Sequence, residues 1–270
     1  MSDAYIVDIG GTQMRFGVTA LSNYEPMYTF KTPKSKEDVL DLLSSTLCEI
    51  IASHPIKNGK VVISSPGLIS RNGTIDKVFY LALTGVNLKE FVEKKFGVIC
   101  IVENDANLQA IGASNKTSNL LYLTIGTAVG GAYISKGKTF VGYNGYACEF
   151  GHISVGVQKQ CYCGNIGCLD TIVSGKMMVD LFGANWWTRT DSKIMHYLEY
   201  AGKVTGRALA DLSILYDPSE VLVCGKICLY ETFVNGTIIA FKSNVWGSLS
   251  IKFETDSWKN AYNGACSVIY

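Results

Sequence analysis

One histidine and three cysteines in the middle of the chain carry the most specific chemical signal. They follow the spacing H-x8-C-x-C-x4-C at His152, Cys161, Cys163 and Cys168. Three thiolates and one imidazole form a typical ligand set for tetrahedral Zn²⁺, and four protein ligands leave no open position, so such a site is structural. The spacing predicts this site. Free thiols are the alternative, whereas a disulfide would require an oxidising compartment.

Two carboxylates, Glu149 and Asp170, flank the cysteine segment on its two sides. A loop folded around a metal ion would hold both carboxylates rigidly, because metal binding restricts the motion of the residues around the site. Fixed in this way, they would be good acceptors for sugar hydroxyl groups. The simpler alternative is that both are exposed surface charges.

A third group of polar residues, Glu103-Asn104-Asp105, follows a predicted buried strand. Ligands of α/β sheets commonly bind at such strand ends. Asp105 could accept the proton of a sugar hydroxyl that attacks a phosphate, and Asn104 offers both a donor and an acceptor. Taken alone, the segment favours a simpler role, in which Asp105 caps the helix that follows it.

Two glycine–threonine turns lie between apolar runs, one at Gly10-Gly11-Thr12 and the other at Gly126-Thr127. Without a Cβ atom, such a turn lets a phosphate group approach the backbone N–H groups. Asp8, just before the first turn, could hold Mg²⁺ directly or through water. Each turn alone is compatible with an ordinary hairpin, but the pair favours an ATP cleft with one phosphate-binding turn from each of two domains.

The elements that must position these groups alternate between strands and helices. The predicted strands are 5–9, 14–19, 61–64, 99–102, 120–125, 130–134 and 221–224, and helices are predicted from Ser35, over 88–96 and 106–112, and around 204–215. The strand–turn–strand pattern of the N-terminus recurs after about 118 residues. This repeat predicts an N-terminal α/β domain, 1–112, and a C-terminal α/β domain, 113–270, with the zinc loop at about 149–170 inserted in the second.

Composition excludes several classes of protein. Lys and Arg number 24 against 23 Asp and Glu, a net charge of +1, so neither nucleic acid nor a membrane surface is an expected partner. The nine cysteines are an odd number, and no signal peptide precedes the first strand. We therefore expect reduced thiols in a cytoplasmic protein. Six of the cysteines are predicted to be core residues: Cys48, Cys100, Cys148, Cys224, Cys228 and Cys266.

In the same order along the chain, these motifs resemble the ROK family of bacterial sugar kinases and sugar-responsive repressors. The matching segments lie at 8–12, 103–107, 149–152 and 161–170, and the resemblance extends from residue 5 to about 175. It implies an α/β fold of the actin-like, ribonuclease H-like type, with two domains, a central cleft for ATP and Mg²⁺, and a C-terminal helix that completes the first domain. The implied activity is the phosphorylation of a hexose or N-acetylhexosamine, usually at the 6-hydroxyl.

The resemblance also implies residue roles. Asp105 corresponds to the catalytic base, and His152 would bind both zinc and sugar. The implied sugar-binding residues are Gly67, Asn104, Asp105, Glu149, His152 and Asp170. The implied nucleotide-binding residues are Asp8, Gly10, Gly11, Thr12, Gly126, Thr127 and Gly225.

The chain departs from the family pattern at three points. Asp170 stands where the family has Glu, the chain is short, and Cys224-Gly225-Lys226 replaces a run of glycines beside the adenosine. The last departure keeps open a catalytically weak, sugar-binding or sensing relative. A DNA-binding regulator is not expected, because seven residues before Asp8 cannot hold a helix-turn-helix. Homodimers are common in the family.

Overall fold

The computed structural model describes residues 3–19, 24–114 and 119–269. The chain divides into two compact units. The first comprises Met1–Ala113, Val141–Ala147 and Trp258–Tyr270, and the second comprises Ser114–Phe140 and Cys148–Ser257. Among the residues that the structure describes, no helix combines the length and the apolar character needed to span a membrane.

Strands and helices alternate over most of the described chain. The strands are β1 (Ala4–Ile9), β2 (Gln13–Val18), β3 (Tyr28–Lys31), β4 (Lys60–Ser65), β5 (Leu68–Ile69), β6 (Ile75–Lys77), β7 (Ile99–Asn104), β8 (Leu120–Ile125), β9 (Val129–Ser135), β10 (Lys138–Thr139), β11 (Glu220–Cys224) and β12 (Ser250–Glu254). The α-helices are α1 (Lys36–Ser53), α2 (Leu88–Phe96), α3 (Asp105–Ala113), α4 (Asp170–Val173), α5 (Gly175–Phe182), α6 (Ser192–Tyr216), α7 (Glu231–Lys242) and α8 (Ser257–Val268).

Helix α1 begins, and helix α2 both begins and ends, at the residues that the sequence predicts. The Ser35 side chain accepts the Asp38 N–H at the start of α1. Asn87 caps α2 in the same way, and Gly97 ends that helix in the left-handed region with φ 66°. Short polar side chains satisfy the free N–H groups of a first turn, and glycine adopts positive φ without a Cβ clash.

Each unit contains a five-stranded sheet, and the two sheets share one topology. The orders are β3-β2-β1-β4-β7 and β10-β9-β8-β11-β12. In both sheets, the second and third strands form an antiparallel hairpin, and the last two strands run parallel to the third. The repeat seen in the sequence at the two glycine turns therefore extends to the whole sheet.

Strand β1 is buried on both faces of its sheet. Tyr5, Val7 and Ile9 belong to a core cluster with α1 and α2, whereas Ala4 and Ile6 pack in a second cluster with α8. This alternation is the two-residue period of a strand. Helix α8 thus covers one face of the first unit's sheet.

Glycines allow pairs of helices to approach closely. A Cβ atom on Gly112 of α3 would lie 1.9 Å from the Asn260 carbonyl oxygen of α8. In the second unit, a Cβ on Gly206 of α6 would lie 2.3 Å from the Thr237 oxygen of α7. These contacts leave no room for a larger residue, so they fix how α3 and α6 pack against their partners.

The prediction that the six other cysteines are all core residues is wrong for half of them. Cys48 is exposed, and Cys228 and Cys266 are partly exposed. Cys48 lies next to Leu47, which is fully buried on the core face of α1. One residue along a helix turns the side chain by about 100°, which carries Cys48 out of the apolar stripe.

Candidate functional site

The segment Glu103-Asn104-Asp105 forms the junction between β7 and α3. The strand continues to Asn104, two residues beyond its predicted end, and α3 begins at Asp105. Asn104 Oδ1 accepts the Asn107 N–H at 3.1 Å, and Asn104 Nδ2 donates to the Gly67 carbonyl at 3.1 Å. Asn104 therefore provides the helix cap and also ties the end of β7 to the loop at Gly67.

Asp105 is half-buried, and its Oδ1 accepts the adjacent Ala106 N–H at 2.9 Å. Burial and, next in size, the negative charge of Asp8 raise the pKa of Asp105 to about 6. Both effects disfavour the charged carboxylate. A carboxylate of this pKa is a stronger base than an ordinary aspartate and is still mostly ionised at pH 7.

Asp8 is 3% exposed and is surrounded by hydrogen-bond donors. Arg15 donates to its Oδ2 from Nη2 at 2.7 Å and from Nε at 3.1 Å, and the Ser64 hydroxyl donates to Oδ1 at 2.8 Å. Both carboxylate oxygens thus have protein partners. If Mg²⁺ binds here, this environment would favour contact with Asp8 through water over direct coordination.

Arg15 and Ser64 are functional candidates that sequence reasoning missed. Asp8 and Arg15 are direct partners across the β1–β2 hairpin, and Asp8 and Ser64 are partners across β1 and β4. The hairpin register gives a signal for Arg15, because a carboxylate and a cation opposite one another form a cross-strand pair. The Arg15 guanidinium also lies 5.4 Å from the centre of the Trp258 ring.

Each glycine turn is closed by a backbone hydrogen bond that its first glycine donates. The Gly10 N–H donates to the Gln13 carbonyl at 2.8 Å, and the Gly126 N–H donates to the Ala128 carbonyl at 2.9 Å. Gly225 follows β11 with φ 147°, and a Cβ there would lie 2.2 Å from the Ile125 oxygen. The structure therefore brings Gly126, Thr127 and Gly225 together at the end of β8. Gly10, Gly11 and Thr12 form the corresponding turn of the first unit.

The cysteine–histidine cluster has the geometry of a tetrahedral metal site. One ligand atom from each of His152, Cys161, Cys163 and Cys168 lies within 4.8 Å of all the others. His152 Nδ1 is 3.7 Å from Cys161 Sγ, and the sulfurs of Cys163 and Cys168 are 3.6 Å apart. Zinc–sulfur bonds of about 2.3 Å place tetrahedral ligands about 3.8 Å from one another. The residues fit zinc.

Glu149 immediately precedes a short 3-10 helix, Phe150–His152, and His152 is the last residue of that helix. A Cβ on Gly131 of β9 would lie 2.3 Å from Phe150 Cδ2, and one on Gly151 would lie 2.1 Å from the Val129 oxygen. Both glycines therefore let this helix sit directly on β9. Burial lowers the pKa of His152, which favours the neutral imidazole that binds metals.

Asp170, the first residue of α4, is 3% exposed, and its Oδ1 accepts the Val129 N–H at 2.7 Å. Glu149 is half-buried. The alternative that both are exposed surface charges is therefore wrong. Sequence spacing gives no signal for the Asp170–Val129 contact, because the two residues are 41 positions apart.

Two sheets of one topology, each with a glycine turn in its antiparallel hairpin, define the actin-like two-domain fold. Residues 4–253 match the ROK family. The glucokinase of Halalkalibacterium halodurans is 31% identical over 250 residues, which are 86% of this chain and 76% of that protein. This chain belongs to the ROK family.

Two further relatives represent different activities within that family. A crystal structure of a ROK family glucokinase from Streptomyces griseus, in complex with glucose and AMPPNP, has a TM-score of 0.84 at 24% identity and covers 98% of both chains. The DNA-binding transcriptional dual regulator NagC of Escherichia coli is 26% identical over 73% of this chain. The match spans 57% of the regulator's length.

Proposed function

We propose that this protein is an ATP-dependent kinase that phosphorylates a hexose or N-acetylhexosamine, of the glucose or N-acetylmannosamine type, at the 6-hydroxyl. The observation that carries the proposal is the state of Asp105, a half-buried carboxylate whose pKa is raised to about 6. The neighbouring Asn104 already serves as helix cap. Asp105 is therefore suited to accept the proton of the attacking hydroxyl. The similarity to glucokinases supports the same reaction.

The other groups of the site have complementary roles in this proposal. The residues assigned to sugar hydroxyl groups are Gly67, Asn104, Glu149 and His152. The residues assigned to the nucleotide are Asp8, Gly10, Gly11, Thr12, Gly126, Thr127 and Gly225. Mg²⁺ supplies charge neutralisation on the phosphates when it is bound. His152, Cys161, Cys163 and Cys168 would hold zinc, which would order the loop that carries Glu149.

The departure from the family pattern at Cys224-Gly225-Lys226 keeps glycine at the position where the backbone lies against the end of β8. Cys224 is fully buried in the core, Lys226 is exposed, and the intervening residue is still glycine. The added side chains therefore do not occupy the place of Gly225. This observation favours a nucleotide-binding protein over a sensor that binds sugar alone.

An assay of ADP release from Mg-ATP tests the proposal directly. The purified chain is supplied in turn with glucose, mannose, fructose, N-acetylglucosamine, N-acetylmannosamine and β-glucosides. We expect turnover with at least one of them and 6-phosphorylated sugar as the product. If no sugar supports turnover while one of them still raises the melting temperature, the protein is a sensor and the kinase proposal is wrong.

The pH dependence of kcat/KM for the sugar should show one acidic limb. Asp105 acts as a base only when ionised, and its pKa is raised to about 6. Activity should therefore fall about tenfold per pH unit below about pH 6. A limb near pH 4, the ordinary value for an aspartate, would contradict the assignment of Asp105 as a base of raised pKa.

A further inference from the structure

The Asp170 side chain contacts the backbone next to a glycine turn of the second unit. Its side chain is 3% exposed, and its Oδ1 accepts the Val129 N–H at 2.7 Å. Val129 is the first residue of β9, directly after the turn that contains Gly126 and Thr127. Asp170 therefore holds the point at which that turn enters the strand.

The same segment of chain holds the turn a second time. The Gly175 N–H donates to the Gly126 carbonyl at 2.8 Å, and the Lys176 N–H donates to the Thr127 carbonyl at 3.0 Å. A Cβ on Gly175 would lie 2.7 Å from the Gly126 oxygen, so the two backbones are in close contact. Segment 170–176 thus binds the turn at its centre and at its exit.

The other end of this segment is fixed at the cysteine–histidine cluster. The Leu169 N–H donates to the Ile153 carbonyl at 3.0 Å. The Thr171 hydroxyl donates to the Cys168 carbonyl at 2.7 Å. A continuous stretch from Cys168 to Lys176 therefore links the cluster to the turn, and Asp170 lies within it.

We infer that Asp170 is a positioning residue for the nucleotide-binding turn, rather than the sugar ligand that the family resemblance implies. The inference rests on the proposed function, because the turn must bind nucleotide. A carboxylate that accepts a backbone N–H in the protein interior makes a strong, charge-assisted hydrogen bond. Removing it leaves the Val129 N–H without its partner and frees the turn to move.

The test separates nucleotide binding from sugar binding in three variants of the full chain. Asp170→Ala removes the acceptor, Asp170→Asn keeps an Oδ1 acceptor, and Glu149→Gln is the matched sugar-site control. Calorimetry with Mg·AMPPNP gives the nucleotide Kd without turnover, and steady-state kinetics gives KM for ATP and for the sugar.

We expect Asp170→Ala to raise the nucleotide Kd and the KM for ATP about tenfold. The sugar KM should change less than about twofold, and Asp170→Asn should restore nucleotide binding to within about threefold. Glu149→Gln should raise only the sugar KM.

A rise in sugar KM for Asp170→Ala with unchanged nucleotide Kd would overturn the inference and restore Asp170 as a sugar ligand. Equal effects on both substrates would also overturn it. If Asp170→Ala does not fold, Gly175→Ala tests the same segment, because its methyl group must displace the Gly126 carbonyl. An unchanged nucleotide Kd in that variant rejects the inference. A wild-type chain that binds no nucleotide would reject the proposed function itself, whereas equal binding by wild type and Asp170→Ala rejects the inference alone.

Discussion

Replacing Asp105 with Asn is expected to lower kcat about 10²–10⁴-fold, the usual contribution of a positioned general base. The amide has nearly the shape of the carboxylate but cannot accept the hydroxyl proton. Sugar affinity, measured by calorimetry without nucleotide, should stay within about threefold because the hydrogen bonds of Asn104 are untouched. Asp211→Asn, on the exposed face of α6, is the matched control and should retain full activity. An unchanged kcat in Asp105→Asn would reject the assignment.

The same substitution should make the protein more stable at neutral pH. The pKa of Asp105 is raised to about 6 in the folded protein, against about 3.9 in an unfolded chain. Ionisation therefore costs folding free energy as the pH rises between these values, and the full cost is present above pH 6. Asn carries no charge, so Asp105→Asn should gain about 1–2 kcal/mol at pH 7.5, an amount reduced from the full shift for partial exposure. Urea unfolding at pH 7.5 and pH 4 should show the gain at the higher pH only.

Loss of zinc should unfold the loop that carries Glu149 and His152. We expect about one Zn²⁺ per chain by elemental analysis, and a strong chelator should lower the melting temperature by about 10 °C or more, because binding of a structural metal contributes directly to folding free energy. Cys163→Ser should have the same effect and should abolish sugar-dependent turnover. Cys48→Ser is the matched control, since Cys48 is exposed on α1.

Two outcomes would contradict the zinc assignment. A metal content near zero in protein purified without chelator would show that the four side chains hold no zinc. A Cys163→Ser protein with the same melting temperature as Cys48→Ser would show that the cluster does not stabilise the loop.

Local signals in the sequence were sufficient for many of the elements. Ser35, Asn87 and Gly97 delimit helices because caps act over three or four residues. The two glycine turns predicted both hairpins, because a hairpin turn is also a local feature of a few residues. Each hairpin then defines the antiparallel part of its sheet. The clustering of the three cysteines with His152 could also be predicted, because all four residues lie within a stretch of seventeen.

Contacts between residues far apart in the sequence could not be predicted from such local patterns. Asp170 and Val129 are 41 residues apart, and the packing of Phe150 on Gly131 depends on how a loop lies over β9. The segment Val141–Ala147 belongs to the first unit although both of its neighbours belong to the second. In this segment, the Tyr146 hydroxyl donates to Asp76 at 2.5 Å. The two residues are 70 positions apart, and no local sequence pattern predicts their contact.

The covering of β1 by α8 sets the order in which the chain can finish folding during synthesis. Ala4 and Ile6 pack against α8, which is synthesised only after the whole of the second unit. Most of the second unit is one continuous stretch, Cys148–Ser257, and is available earlier than that helix. Domains commonly fold from the N-terminus onward as they emerge. The first unit's sheet therefore keeps one apolar face uncovered until α8 is synthesised, although its strands precede the second unit in the chain.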